Sequence, residues 1–456
     1  MKHIQLMKKL VLFALGLLVL AVAGLGIYGY WGLDQHILSP TNSANSAGAA
    51  NAVSIATPES ELARGAYLVK QANCMACHTA AGGQPYAGGR LLRSAYGDFY
   101  APNITSDKTH GIGTWSADDF WNALHNGKGK GGRLLYPAFP FENYTHITRA
   151  DADAMWRYLQ TLPAVAQANQ EHRLDFPYNQ RWTLAWWRAL YFRTGELPYQ
   201  AQQTASWNRG AYLVRALGHC SACHATRNGL GGSSGSADLS GATMFASLWY
   251  APSLQDARDS HVASFSSEEL AQLLQQGQNQ HRALLGPMAE VVKTSLQGWR
   301  DDDVAAMTEY LQTEARRSST KPVKEADFLD RSLQRASVSQ EELEVLMIRG
   351  EKLYRQHCAA CHLDDGKGRY GIYPRLAGNA SVQRDSSSNL IRAILAGGFA
   401  PSTEKHPRPF GMPPFSYVLD DTEVALVATY VRNSWGNRAS IVSPSEVNAY
   451  RTVSLD

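Results

Sequence analysis

Cys74-Met75-Ala76-Cys77-His78 decides the reading of this chain, and the pattern occurs three times, again as Cys220-Ser221-Ala222-Cys223-His224 and as Cys358-Ala359-Ala360-Cys361-His362. The three copies use all six cysteines of the 456 residues, so no thiol is left over. Cys-x-x-Cys alone also serves zinc sites and dithiol redox pairs, but neither explains a histidine directly after every second cysteine. Covalent attachment of c-type haem does: two thiols three apart add to the porphyrin's vinyl groups, and the adjacent imidazole lies under the iron as an axial ligand. The expectation is three covalently bound haem c groups, held by Cys74, Cys77, Cys220, Cys223, Cys358 and Cys361, with His78, His224 and His362 on the metal.

Outward from each copy the surroundings repeat. A helix leads in: Ala63-Arg64-Gly65-Ala66-Tyr67-Leu68-Val69, then Asn208-Arg209-Gly210-Ala211-Tyr212-Leu213-Val214, then Ile348-Arg349-Gly350-Glu351-Lys352-Leu353-Tyr354. A proline loop follows, at Ala101-Pro102-Asn103, Ala251-Pro252-Ser253 and Tyr373-Pro374-Arg375. A second helix opens on a serine followed by acids, at Ser116-Ala117-Asp118-Asp119 and Ser266-Ser267-Glu268-Glu269, with Ser387 to Leu395 in the third unit, and stops at Gly127, Gly277 and Gly397. Closing helices are expected at Arg149 to Leu162, Asp301 to Gln312 and Asp420 to Arg432. The fold expected is mainly α, three tandem domains whose element order resembles class I cytochrome c, behind an N-terminal transmembrane helix. The length of the chain suits three modules of roughly 100 to 150 residues.

The sixth iron ligand belongs between the second and closing helices. Gly286-Pro287-Met288 and Gly411-Met412-Pro413-Pro414 place Met288 and Met412 in proline-pinned loops. A thioether there is a soft neutral ligand that favours ferrous iron and raises the haem potential. The first unit has Tyr136-Pro137-Ala138-Phe139-Pro140, and a phenylalanine cannot bind iron. Three outcomes stay open: five-coordinate iron, a histidine from His110, His125 or His146, or water. Met155 and Met307 read as core of the closing helices.

The connecting segments differ in character. Residues 1–33 begin basic (Lys2, Lys8, Lys9) and continue in an uncharged apolar run from Leu10 to Trp31, which as a helix spans about 33 Å. The length and the terminal Tyr28, Tyr30 and Trp31 favour an uncleaved membrane anchor over a cleaved signal peptide ending near Ala21-Val22-Ala23. Either reading exports the rest. Residues 34–58 are a small polar tether. The domains are set at 59–163, 207–314 and 342–436, with an aromatic connector at 164–206 read as glue between the first two rather than as a quinone site or a partner-docking face, a polar linker at 315–341 that leaves the third more loosely held, and a C-terminal tail at 437–456. Forty-three Lys plus Arg against 40 Asp plus Glu give no support to nucleic-acid binding.

From residue 60 to 436 the chain resembles the cytochrome c subunits of bacterial membrane-bound periplasmic dehydrogenases. These are the triple-haem partners of quinoprotein alcohol dehydrogenases and of flavin-dependent gluconate, sorbitol and fructose dehydrogenases, with related subunits beside molybdenum aldehyde oxidoreductases. Besides the three haem motifs, Gly-Gly-Gln-Pro-Tyr-Ala-Gly-Gly at 82–89, Thr-His-Gly-Ile-Gly-Thr-Trp at 109–115 and the Leu-Tyr-Pro-Ala run at Leu135 carry the resemblance. In that family the last run commonly continues Met-Pro, so Phe139 is a departure. The resemblance implies electron relay from a dehydrogenase catalytic subunit to ubiquinone or a terminal oxidase, on the periplasmic side of the inner membrane. No nucleotide-binding glycine loop and no nucleophile-base arrangement is found that would oxidise a substrate, so this chain is read as wiring rather than as the substrate-oxidising subunit. The alternatives are a peroxidase-like haem enzyme at an open first haem and a stand-alone membrane-tethered electron shuttle.

Overall fold

In the computed structural model, which describes Phe13, Gly16, Gly24 and residues 60–245, 247–279, 282–319 and 339–452, a helix runs into each Cys-x-x-Cys-His stretch and crosses a later helix at a glycine. The leading helices are Glu61–Gln71, Ala205–Tyr212 and Gln340–His357. The closing helices are Arg149–Thr161, Asp301–Ser319 and Asp421–Asn433. A Cβ on Gly65 would sit 2.1 Å from the Ala154 carbonyl oxygen, one on Gly210 2.0 Å from that of Ala306, and one on Gly350 2.5 Å from that of Leu426. Backbone therefore lies on backbone at each crossing, and any side chain there would push the helices apart.

The middle helices are Ala117–Asn126, Ser267–Gln276 and Ser388–Ala396. Ser116 with Asp119 and Ser266 with Glu269 form capping boxes, each hydroxyl cap contributing about 1 kcal/mol. Gly127 and Gly277 end their helices in the left-handed region at φ 57° and 71°. Apolar residues on one face, Phe120, Ala123 and Leu124 or Ile391, Ile394 and Leu395, are buried against the helix crossings. Strands are few: a hairpin of Leu91–Ser94 and Gly97–Tyr100, joined by Arg173–Leu174 from the connector, and two short two-stranded ladders.

The first two units share one apolar core, in which Leu68, Met155 and Leu159 are continuous with Leu213, Val214 and Met307. Met155 and Met307 are thus core residues, as expected. The third unit has a core of its own around Tyr354, Ile391, Val424 and Val427. The connector glues as expected: its helix Thr183–Tyr191 packs Leu184 on Phe99 and Tyr136, while the Trp187 indole donates to the Leu230 carbonyl of the second unit at 2.9 Å.

Four findings depart from the sequence reading. The closing helix of the second unit runs on to Ser319 rather than ending at Gln312, because Ala315 is fully buried and Arg317 pairs with Glu314 one turn back. The segment 437–456 is more than a tail: Pro444–Arg451 is a helix that buries Val447 against the closing helix and pairs Arg451 with Asp421. The third unit is docked on the second, with Arg384 paired to Asp259 at 2.8 Å and Asn389 exchanging two hydrogen bonds with the Tyr250 backbone. One residue more separates Arg209 from Cys220 than Arg64 from Cys74, and a π-helical turn at Leu213–Leu217 absorbs it. Among the described residues no helix is long and apolar enough to cross a membrane. The expected anchor at 1–33 and tether at 34–58 lie outside the described residues apart from Phe13, Gly16 and Gly24.

Candidate functional site

Each Cys-x-x-Cys-His stretch is a single helical turn: Cys74–Cys77, then Ser221–His224, then Ala359–His362. That turn puts both sulfurs of a pair on one side. In the first two units a left-handed residue, Asn73 at φ 52° and His219 at φ 38°, breaks the leading helix and re-aims the turn, whereas the third helix runs directly into Cys358. Burial pushes the first thiol of each pair up, to about 12 for Cys74 and Cys220 and about 11 for Cys358. These are neutral sulfurs in apolar surroundings, unlike the exposed low-pKa cysteines that do redox chemistry.

The histidines are held alike in all three units. The Nδ1 of His78 lies 2.7 Å from the Pro102 carbonyl, that of His224 2.6 Å from the Pro252 carbonyl, and that of His362 2.9 Å from the Pro374 carbonyl. A carbonyl can only accept, so Nδ1 carries the proton and Nε2 keeps a lone pair for a metal. Burial lowers the pKa of each ring, against the raising effect of that bond, which keeps the imidazole neutral as a ligand must be. A second clamp holds the histidine backbone: its carbonyl accepts from the N–H of Gly88, Gly241 and Gly368 at 2.8, 2.7 and 3.0 Å. These glycines have φ of 80°, 87° and 64°, and a Cβ on any of them would lie within 2.6 Å of the proline loop. The repeating prolines were visible in the sequence. The glycines that lock them were not, since they lie at a different distance from each motif.

An iron porphyrin fits this donor set: paired neutral thiols, a tautomer-fixed imidazole with a free nitrogen, and a backbone clamp that prevents its rotation. The second side of the site is less uniform. Leu135 N–H bonds the Gly127 carbonyl at 2.9 Å and Leu284 N–H bonds that of Gly277 at 2.7 Å, which puts the two connections in register. Four residues beyond each leucine stand Phe139 and Met288. Met288 was expected in a loop. It is instead the second residue of the helix Pro287–Thr294, started by Pro287, and packs against the shared core. Met412 lies in a two-residue strand paired with Gly398–Phe399 and packs on the cluster that includes Cys358. Of the candidate histidines, His146 has both ring nitrogens engaged, with the Gly195 carbonyl at 2.6 Å and the Ser236 hydroxyl at 2.7 Å. His125 stacks on Trp121 at 4.4 Å. His110 sits in the loop where its own N–H bonds Asp107.

Sequence reasoning missed two arginines beside the motifs. Arg90 donates to the Ala76 carbonyl at 2.5 Å and to Glu290 of the second unit at 2.9 Å. Arg227 donates to the Ala222 carbonyl at 3.4 Å and pairs with Glu142 of the first unit at 3.6 Å. Burial is the main cause that raises the Cys77 thiol, Arg90 opposes it, and Glu290 and Cys223 of the second unit add to it.

A mainly helical fold presenting Cys-x-x-Cys-His beside a carbonyl-held imidazole defines a cytochrome c. Residues 62–163 and 347–435 match the Cytochrome c family. The chain is 35% identical over 400 residues to the gluconate 2-dehydrogenase cytochrome c subunit of Pantoea cypripedii, covering 85% of this chain and 89% of that one. It is 34% identical over 404 residues to the cytochrome c subunit of the quinone-dependent alcohol dehydrogenase of Gluconobacter oxydans, covering 86% and 83%. It is also 35% identical over 404 residues to the fructose dehydrogenase cytochrome subunit of Gluconobacter japonicus, covering 86% and 82%. The chain belongs to the family of dehydrogenase cytochrome c subunits, an electron-transfer family with covalently bound haem c.

Proposed function

We propose that the chain carries three haem c groups, one in each of three cytochrome c domains, and relays electrons from a dehydrogenase catalytic subunit to ubiquinone or a terminal oxidase. The observation that carries this is the threefold clamp of His78, His224 and His362, in which a proline carbonyl and a glycine N–H fix an imidazole beside two thiols. Met288 and Met412 complete the second and third irons. Bound haem supplies the one-electron couple, and the protein holds the groups near one another and sets their potentials through ligand and burial. The Arg90–Glu290 pair across the first two sites, with Cys223 acting on Cys77, supports transfer between the first two groups, and the pairing of Arg384 with Asp259, both of which act on His224, supports the third group lying next along the route. The relatives' names support a dehydrogenase of an alcohol, a sugar or a sugar acid as the electron donor. The basic, apolar N-terminus supports an inner-membrane anchor with the haem domains in the periplasm.

Isolation of the full-length chain from its host in mild detergent tests the reading. Three haem masses on the polypeptide and a co-purifying large catalytic chain are expected. Purification alone, with full activity as a redox carrier, favours the shuttle instead, and fewer than three haems overturns the proposal.

A further inference from the structure

We infer that the iron above His78 has no sixth ligand from the protein and is a binding site for small neutral π-acceptor molecules such as carbon monoxide or nitric oxide. The inference rests on haem c being attached at Cys74 and Cys77. In the second unit the residue four positions after the leucine that bonds the glycine carbonyl is Met288, whose thioether packs towards the shared core. At the corresponding position the first unit places Phe139. Its N–H bonds the Tyr136 carbonyl at 3.0 Å and its carbonyl accepts from Phe141 at 2.7 Å, so a tight turn between Pro137 and Pro140 fixes the phenyl ring where the sulfur would be.

No neighbour replaces the sulfur. His146 has hydrogen-bond partners at both ring nitrogens. His125 is stacked flat on Trp121 at an interplanar angle of 15° with its ring bonded to the Thr145 backbone, and its buried Nδ1, which has no hydrogen-bond partner among the described residues, is the one rival that the His125→Gln variant below tests. Tyr86, Tyr144, Arg90, Glu290 and Cys223 act on the Cys74 and Cys77 thiols, and His110 is held in its loop, its N–H bonding Asp107 and its carbonyl accepting from Asn169. Tyr144, the only one of these in the ligand connection, is a buried phenol that donates to the Ala72 carbonyl at 2.8 Å, and its ring meets the edge of Phe139 at 5.3 Å.

The same two rings select the ligand. Phe139 has no donor, and the Tyr144 proton is already committed, so this side stabilises no bound anion and no polar iron–dioxygen unit by hydrogen bonding. Carbon monoxide and nitric oxide bind ferrous iron without needing such a donor.

The test uses the full-length protein with its haem content counted first by mass. Carbon monoxide is titrated into the dithionite-reduced chain and followed by Soret absorbance and by the iron–carbonyl stretch in resonance Raman. Saturation at one carbon monoxide per chain, with two of three haems unchanged, is expected. Phe139→Met is expected to abolish that binding and to add one thioether-to-iron charge-transfer band in the near infrared. His125→Gln, which installs the residue type found at Gln275 in the second unit, is expected to leave the stoichiometry at one. A chain with three haems that binds no carbon monoxide overturns this inference while leaving the relay intact. So does a His125→Gln variant that gains a binding site its parent lacks. A chain without haem at Cys74 and Cys77 overturns both.

Discussion

The two seams of the molecule are built on different plans. Between the first and second units the contacts at the helix crossings come in pairs with the roles exchanged. Arg64 pairs with Asp151 of its own closing helix, which accepts from Tyr212 of the second unit at 2.6 Å, and Arg209 pairs with Asp303 of its own closing helix, which accepts from Tyr67 of the first unit at 2.8 Å. Ser295 donates to the Lys70 carbonyl and Asn143 to the Arg215 carbonyl, both at 2.8 Å. Arg90 reaches Glu290, and Arg227 reaches Glu142. Between the second and third units the contacts among the described residues have no such counterparts: Arg384 pairs with Asp259, and Asn389 exchanges two hydrogen bonds with the Tyr250 backbone. The sequence explains why. Lys352 stands where the first two leading helices have Tyr67 and Tyr212, and Glu423, committed to capping with Asp420, stands in the place of Asp151 and Asp303. The first seam joins two cysteine sides across a shared core; the second lies beside the His224 ring.

The sharpest way to break this comparison is to remove one charged partner from each seam. Asp303→Ala removes the carboxylate paired with Arg209, whose side chain is only 12% exposed, and is expected to cost about 3–5 kcal/mol in denaturant unfolding. Arg384→Ala leaves Asp259 with the Tyr250 hydroxyl and the Ser253 N–H, so about 1–3 kcal/mol is expected. Equal losses would erase the distinction. Next in size are the crossing glycines: Gly65→Ala and Gly350→Ala each overpack a helix crossing by about 1–3 kcal/mol or more. Gly65→Ala should lower the melting of the first two units together, because they share a core, while Gly350→Ala should lower only the transition of the third. A single transition moved equally by both would contradict separate cores.

The pH response belongs to the first seam. Burial holds the His146 pKa down at about 4 against its bond to the Gly195 carbonyl, while in the unfolded chain it sits near 6.5. The unfolded state therefore takes up a proton first, so stability is full above about pH 6.5 and falls progressively towards about pH 4. His146→Asn should flatten that slope, read from unfolding midpoints across the range, and an unchanged slope would show that other groups set it. Asp303 adds to the same trend at lower pH. Burial works to raise its pKa, but Arg209, Tyr67 and Gln71 hold it below the ordinary carboxylate value, so its contribution is lost only as pH falls through that depressed value. The smallest effect is expected at the rim: Glu290→Gln breaks a half-exposed pair with Arg90 and should cost less than about 1 kcal/mol.

Much of the site could be read from local spacing. The Cys-x-x-Cys-His motifs, the serine caps at Ser116 and Ser266, and the glycine stops at Gly127 and Gly277 all depend on neighbours within one or two turns, and the caps and stops are where the sequence put them. What escaped depends on pairs distant in the chain. The histidine and its proline are separated by 24, 28 and 12 residues in the three units, so no fixed pattern marks the clamp, although its chemistry is constant. The seam residues Tyr67 and Asp303 are 236 residues apart. The helix at Pro444–Arg451 looked like a polar tail because its one fully buried anchor, Val447, gives too little periodicity to announce a packed face.

The reciprocity of the first seam also limits what the molecule can assemble. An isologous patch is self-complementary, and two copies meeting across a pseudo-dyad consume both halves, so the first two units amount to a dimer folded within one polypeptide. No half of that surface remains to capture a further repeat or a second molecule, which is why the third unit attaches elsewhere and why association through this face cannot propagate into a filament.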